Sequence, residues 1–245
     1  MTAQLRAELL KQRSTFTNLG LLLAMLGLVL LAVLLHALSL PADRLDSASN
    51  QVQVFRFGPL LGALFAGLVG ALSITGEIRH GTIRPTFLIT PRRGRVVAAK
   101  IVASGLLGIV FGLVAVGAAV AVGSAALAAR GIPITLDGND YTLMPAGGIA
   151  AAALWAPIGL GIGALLRNQV ATLLAIFLWL FFIENLLIDF VPGVGKFAPG
   201  AAAAAITGID PDRLLAPALG ALLLALYAAT LTAAGAIATL RRDVP

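Results

Sequence analysis

Gly76-Glu77-Ile78-Arg79-His80-Gly81-Thr82-Ile83-Arg84-Pro85-Thr86-Phe87-Leu88-Ile89-Thr90-Pro91-Arg92-Arg93-Gly94-Arg95 crowds five arginines between two long apolar runs. Those flanking runs decide the fold. A hydrocarbon core about 30 Å thick needs about 20 helical residues at roughly 1.5 Å each, and both runs reach that length. The polar stretch is therefore a handle between two membrane-spanning helices.

Four more segments of spanning length follow from the same rule, giving six in all near 18–40, 57–76, 96–128, 146–166, 169–190 and 216–240. Composition agrees: 59% of residues are hydrophobic, 11% are charged and the mean hydropathy is +0.99, where an ordinary soluble domain has about 25% charged residues. The third segment is long enough to tilt or to run past the membrane. Short connections argue for a single domain over residues 1–245. The expected class is an all-α membrane protein built as a six-transmembrane-helix bundle.

Orientation follows from the basic residues. With both termini inside, the cytoplasmic face carries 12 cations and three acids, and the outer face five cations and eight acids, a net of +9 against −3. The positive-inside rule selects that N-in, C-in arrangement. A pI near 10.8 invites a nucleic-acid reading, but the cations sit at helix ends rather than along a groove with interleaved aromatics. Anionic headgroups of membrane lipids and a partner protein are the expected neighbours, and nucleic acid is not.

The first apolar run exceeds the roughly 7–15 residues of a signal-peptide core, so it is expected to stay as a helix. Residues 3–16 place Leu5, Leu9 and Phe16 near one face, which suits a helix lying in the cytoplasmic interface; a plain basic flank is the alternative. The chain has no Cys, which excludes disulfides, thiolate metal sites and thiol nucleophiles. His36 and His80 form no H-E-x-x-H pattern, and no serine sits in G-x-S-x-G. Gly159, Gly161 and Gly163 lack the spacing of a dinucleotide loop, so helix packing through small residues is the expected role, as for Gly58/Gly62 and Gly108/Gly112. Gly195-Lys196 is not a nucleotide-binding loop either. No catalytic, metal or cofactor site is expected in this chain, and any ATP and Mg must be bound by a partner.

Within the handle, each residue type has a physical task. Gly81 can end the second helix in the left-handed region, and Thr82 can then cap a short new helix with Pro85 in its tolerant first turn. Ile83 and Phe87 form an i, i+4 apolar pair with Arg84 to the side, suited to seating in a groove. Thr90-Pro91 stops the turn, Arg92, Arg93 and Arg95 meet acidic or phosphate groups, and Gly94 permits a sharp entry into the third span. The simpler alternative is a loop that matters only for its charge.

Taken in order, Glu77, Gly81-Thr82, Thr90-Pro91, Arg92-Arg93 and Lys100 resemble the ABC-2 type permeases of ATP-binding cassette transporters. Glu8 with Lys11, the run Gly163 to Gln169, Pro199-Gly200 and Arg241 to Val244 are also similar to that family, so the resemblance spans essentially the whole chain. It implies a half-transporter that pairs with a second permease copy or paralogue and with two cytoplasmic ABC ATPase subunits. It also implies that residues 77–95 carry a cytoplasmic coupling helix, with Glu77, Arg79, Gly81, Thr82, Ile83, Arg84, Phe87, Pro91, Arg92 and Arg93 as the ATPase-coupling residues.

In the outer region 191–215, Ala201 to Ile206 is apolar but too short to cross, which suits a short re-entrant or interfacial helix; an unstructured alanine-rich loop is the alternative. Glu184 and Asp189, in the outer part of the fifth span, either line a substrate path or anchor the helix end at the interface. The expected function is the permease of an exporter for a hydrophobic or amphipathic small molecule, a drug or natural product. Ions, lipid, peptide or polysaccharide are alternative cargoes. A secondary transporter or a non-transporting membrane subunit is more remote; against the former, Pro157 is the main interior break and no clear charge lies at mid-membrane.

Overall fold

The computed structural model describes residues 2–82, 85, 93–136, 138–210 and 212–241, and among them there is helix and no strand. Six helices are long and apolar enough to cross a membrane. The first span is Phe16–Ser39, the second Phe57–Arg79, the third Arg93–Ala129, the fourth Gly138–Leu166 and the sixth Pro217–Arg241. The fifth is composite: an α segment Gln169–Leu178, a π-helical segment Trp179–Ile183 and a second α segment Glu184–Phe190.

Several boundaries differ from those expected. The third span has 37 residues and begins at Arg93, so Gly94 lies inside its first turn and makes no sharp entry. The fourth begins ahead of Pro145 and runs unbroken through both Pro145 and Pro157. Each proline removes one main-chain donor, which a packed apolar helix tolerates when its neighbours cover the freed carbonyl. Pro157 therefore interrupts nothing.

The second span is the axis of the bundle, with 78% of its apolar window buried against 22% for the first and 17% for the fifth. Small residues permit this. A Cβ on Gly159 would stand 1.9 Å from the carbonyl oxygen of Gly67, and one on Gly70 would stand 1.8 Å from that of Ala156, so the second and fourth spans cross with their backbones touching. Gly58 and Gly62 face Ala119 and Ala115 of the third span, and Gly108 and Gly112 face Ala152 and Ile149 of the fourth. Where lipid is as apolar as leucine, close packing of this kind supplies the attraction between helices. Phe111, Leu64, Ile158 and Leu224 fill the interior between these crossings.

Shorter helices close the ends. The N-terminal helix Thr2–Ser14 packs on the third span, and its buried residues are Glu8 and Gln12 rather than the leucines, while Leu9 and Leu10 face outward. Phe16 belongs to the first span, not to this helix. Between the first two spans, Ala42–Leu45 and Ala48–Phe55 fold back over the bundle. Fully buried Gln51 staples them down: its Nε2 donates to the carbonyls of Leu45 (2.8 Å) and Pro133 (2.9 Å), and its Oε1 accepts from Thr135 N–H (2.9 Å). Ahead of the sixth span, Pro199–Ile206 is helical and wedged against the fourth and sixth spans, where Gly147 and Gly220 leave room for its carbonyls. The alanine-rich segment is thus a packed helix and not a loose loop.

Candidate functional site

The second span ends where the sequence indicated. Gly81 takes φ of +67°, Gly81 N–H donates to Ile78 O (3.2 Å) and Thr82 N–H to Glu77 O (3.0 Å). This paired bonding closes the helix and satisfies its last carbonyls. Glu77 and Arg79 therefore stand on the rigid last turn of the second span rather than in a loop. Arg79 Nη1 reaches Gln169 Oε1 at the start of the fifth span (3.4 Å). The coupling positions Ile83, Arg84, Phe87, Pro91 and Arg92 lie outside the described residues; Arg93 opens the third span.

Four charged side chains meet beside this helix end. Lys100 Nζ donates to Glu8 Oε2 (2.6 Å), to Glu77 Oε1 (2.9 Å) and to Ser73 O (3.4 Å). Lys11 Nζ donates to Glu8 Oε1 (2.8 Å) and Glu77 Oε1 (2.9 Å). The charges alternate around a closed ring, Glu8, Lys100, Glu77, Lys11, which joins the N-terminal helix to the second and third spans. Lys100 and Glu8 are almost wholly enclosed, with side chains 3% and 4% exposed, while Lys11 at 44% faces out.

Burying single charges here would be prohibitive, and the ring is what makes it tolerable. Burial pushes the Glu8 carboxyl up, but the Lys100 charge and the hydrogen bonds from Lys100 and Lys11 outweigh it and hold Glu8 below its ordinary value. Burial likewise pushes Lys11 down, and the hydrogen bonds to Glu8 and Glu77 outweigh it and hold Lys11 above its ordinary value. A cavity of about 470 Å³ opens next to the ring, bordered by Gln12, Asn18, Gly76, His80 and Thr82. One oxygen of Glu77, Oε2, is buried without a hydrogen-bond partner among the described residues.

The opposite end of the bundle holds a second cavity of about 360 Å³. Glu184 lines it, whereas Asp189 is exposed and lies outside its lining, so the structure separates the two acids that the sequence grouped. Glu184 is 3% exposed and takes two bonds from main chain, Oε2 accepting from Gly200 N–H (3.0 Å) and Oε1 from Ala201 N–H, with the Trp179 side chain as a further donor. It thus caps the helix Pro199–Ile206 from a neighbouring span, in place of Ala198, whose side chain has no acceptor. Gly200 is required for the approach, since a Cβ there would stand 2.6 Å from Glu184 Oε1. The π segment just before Glu184 alters the turn angle of the fifth span and aims the carboxylate at that helix.

Sequence reasoning singled out all four ring residues by their likeness to a family but did not join them. A signal was present in Lys100, a charge set seven residues inside an apolar helix that begins at Arg93. A sequence model of the family described as "ABC-2 family transporter protein" matches residues 12–209, well over half the chain. No curated protein matches the chain significantly.

Proposed function

The chain belongs to the ABC-2 family of transporter proteins and is a permease subunit of an ATP-binding cassette transporter, and from that premise we propose that it exports a hydrophobic or amphipathic small molecule. In this reading it lies in the cytoplasmic membrane with both termini inside, pairs with a second permease copy or paralogue, and is driven by separate ABC ATPase subunits that hold the ATP and Mg. Residues 77–95 take the thrust of ATPase closure through Ile83 and Phe87, and the two bundles rock between inward and outward openings.

The observation that supports coupling at this place is the charged ring. Glu77 lies on the last turn before the handle and Lys100 a little beyond it, so a push on the handle is delivered to two spans and the N-terminal helix together. A loop that served only as a carrier of charge would not need so stiff a root. Ile83→Asp and Phe87→Asp, expressed together with the ATPase, test the reading. Each is expected to insert normally but to lose ATPase on co-purification, because an apolar anchor becomes a buried unpaired charge. Undiminished co-purification and unchanged substrate-stimulated ATP hydrolysis would remove the coupling role from these residues.

A further inference from the structure

We infer that the 360 Å³ cavity binds an amphiphile whose head carries a phosphate or carboxylate, the head held by Arg56 and Arg213 and the chain laid over Leu64, Trp155 and Phe181. The inference deepens the proposed function by naming the chemistry of the cargo and rests on it.

The charges lining this cavity are Arg56, Arg213, Glu184 and Asp210. At first sight they cancel. They are not equally available, however. Both oxygens of Glu184 are taken by Gly200 and Ala201 N–H groups at the start of a helix, so its charge is already answered by fixed donors and by the helix dipole. Arg56 spends one guanidinium nitrogen on the neutral amide oxygen of Gln53 (2.5 Å) and lies 6.0 Å from the Phe57 ring. Among the described residues, neither Arg56 nor Arg213 has a carboxylate within ion-pair distance. Two guanidinium forks against the single carboxylate of Asp210 leave the cavity net cationic toward a guest. Guanidinium groups pair with phosphate or carboxylate through two parallel hydrogen bonds, which an alcohol or an ammonium cannot accept.

The rest of the wall is apolar. Trp155 and Leu64 are each about 2% exposed and reach the cavity from the fourth and second spans, while Phe181 comes from the π segment of the fifth. Aliphatic chain laid on such a wall leaves water while its head stays with the arginines, the arrangement expected of a concave site with a few polar groups. A cationic head would meet two guanidinium groups with no carboxylate partner among the described residues and find the buried carboxylate of Glu184 already occupied.

The experiment uses the full-length chain with Trp179→Phe, which leaves Trp155 as the only tryptophan and takes the side-chain donor from Glu184 while keeping both main-chain donors, and follows quenching of Trp155 by brominated amphiphiles. One arm adds dibromostearic acid from solution to detergent-solubilised protein, with a dibromoalkyl trimethylammonium as the matched cation. A second arm places dibrominated phosphatidic acid in nanodiscs, against dibrominated phosphatidylcholine. Saturable quenching is expected from the anion in at least one arm, at about tenfold lower concentration than the control, and the responding arm tells whether the guest arrives from solution or from the bilayer. Arg56→Gln with Arg213→Gln is expected to erase that preference and leave quenching by the control unchanged. Arg213→Gln alone, at an exposed position, is expected to weaken it and keeps the test open should the double variant misfold. Equal quenching by both heads, or a preference indifferent to Arg213, overturns the inference. Because neither arm involves the ATPase, such a failure would leave the permease reading standing.

Discussion

Glu8 and Glu184 are each about 3% exposed, yet the protein accommodates them in opposite ways. Glu8 is answered by side chains, the ammonium groups of Lys100 and Lys11, and one of these comes from 92 residues away. Glu184 is answered chiefly by main chain, two N–H groups that lie 16 and 17 residues further along, with only the Trp179 side chain beside them. The ring holds only while three separate helices keep their register, so it reports on their relative position. The cap is a local matter between the fifth span and the nearby short helix Pro199–Ile206. Charge pairing thus ties three elements together at one end, and backbone capping holds a single corner at the other.

The hardest test of this contrast is Lys100→Met. It strands Glu8 and Glu77 with only the exposed Lys11 between them, and removing one partner of a buried ion network costs about 3–5 kcal/mol. Thermal unfolding in detergent should show this as the largest loss of the series; a loss no greater than that of Glu184→Gln would dissolve the distinction. Glu184→Gln keeps one acceptor and turns the other into a donor facing an N–H, for which about 1.5–3 kcal/mol is expected. Limited proteolysis should then find its new cuts near Pro199–Ile206 and none in the N-terminal helix.

Gly200→Ala sharpens the local half of the contrast. Its methyl group would press on Glu184 Oε1 and cost about 1–2 kcal/mol by overpacking. In a Glu184→Ala background that cost should shrink to the remaining contact with Leu180 Cδ2, because the methyl would enter space the carboxylate has left. A double-mutant cycle with no coupling would show that the two residues do not share the site.

The smallest effect is that of pH on the ring. Glu8 lies below its ordinary 4.5, so its contribution is complete above that value and fades as pH falls through the lower folded-state value. Lys11 lies above its ordinary 10.5, so its contribution is complete below 10.5 and fades as pH climbs through the higher folded-state value. Lys11 is well exposed, so the alkaline arm should be the weaker. The ring's own contribution should be level between these limits, and Glu8→Gln should make the acid arm shallower. An acid arm of unchanged slope in that variant would dissociate Glu8 from it.

The six spans were legible because bilayer thickness imposes a length that composition alone satisfies. The end of the second helix was legible for a different reason, that Gly81 is the residue able to take a positive φ there. The ring was not, since nothing in the spacing of Glu8 and Lys100 records that the N-terminal helix folds onto the third span. The sequence grouped Leu5, Leu9 and Phe16 on one face of that helix but carried no sign that Glu8 and Gln12 are the residues that turn inward. The cap on Pro199–Ile206 was hidden more deeply still: its main-chain donors are peptide N–H groups, which no side-chain pattern reveals, and the π segment before Glu184 takes in its extra residue among Trp179, Leu180, Phe181, Phe182 and Ile183 without disturbing the apolar run.

The length of the third span has a mechanical meaning. Thirty-seven residues make a rod roughly 55 Å long, nearly twice the hydrocarbon thickness, and even a tilt of about 40° leaves roughly 15 Å of it outside that layer. Such a rod is a lever. Pivoting by about 5° around its middle carries each tip through roughly 2 Å, close to the full difference between a made and a broken hydrogen bond, so small rotations near the handle arrive at the far side of the bundle as a change of contacts.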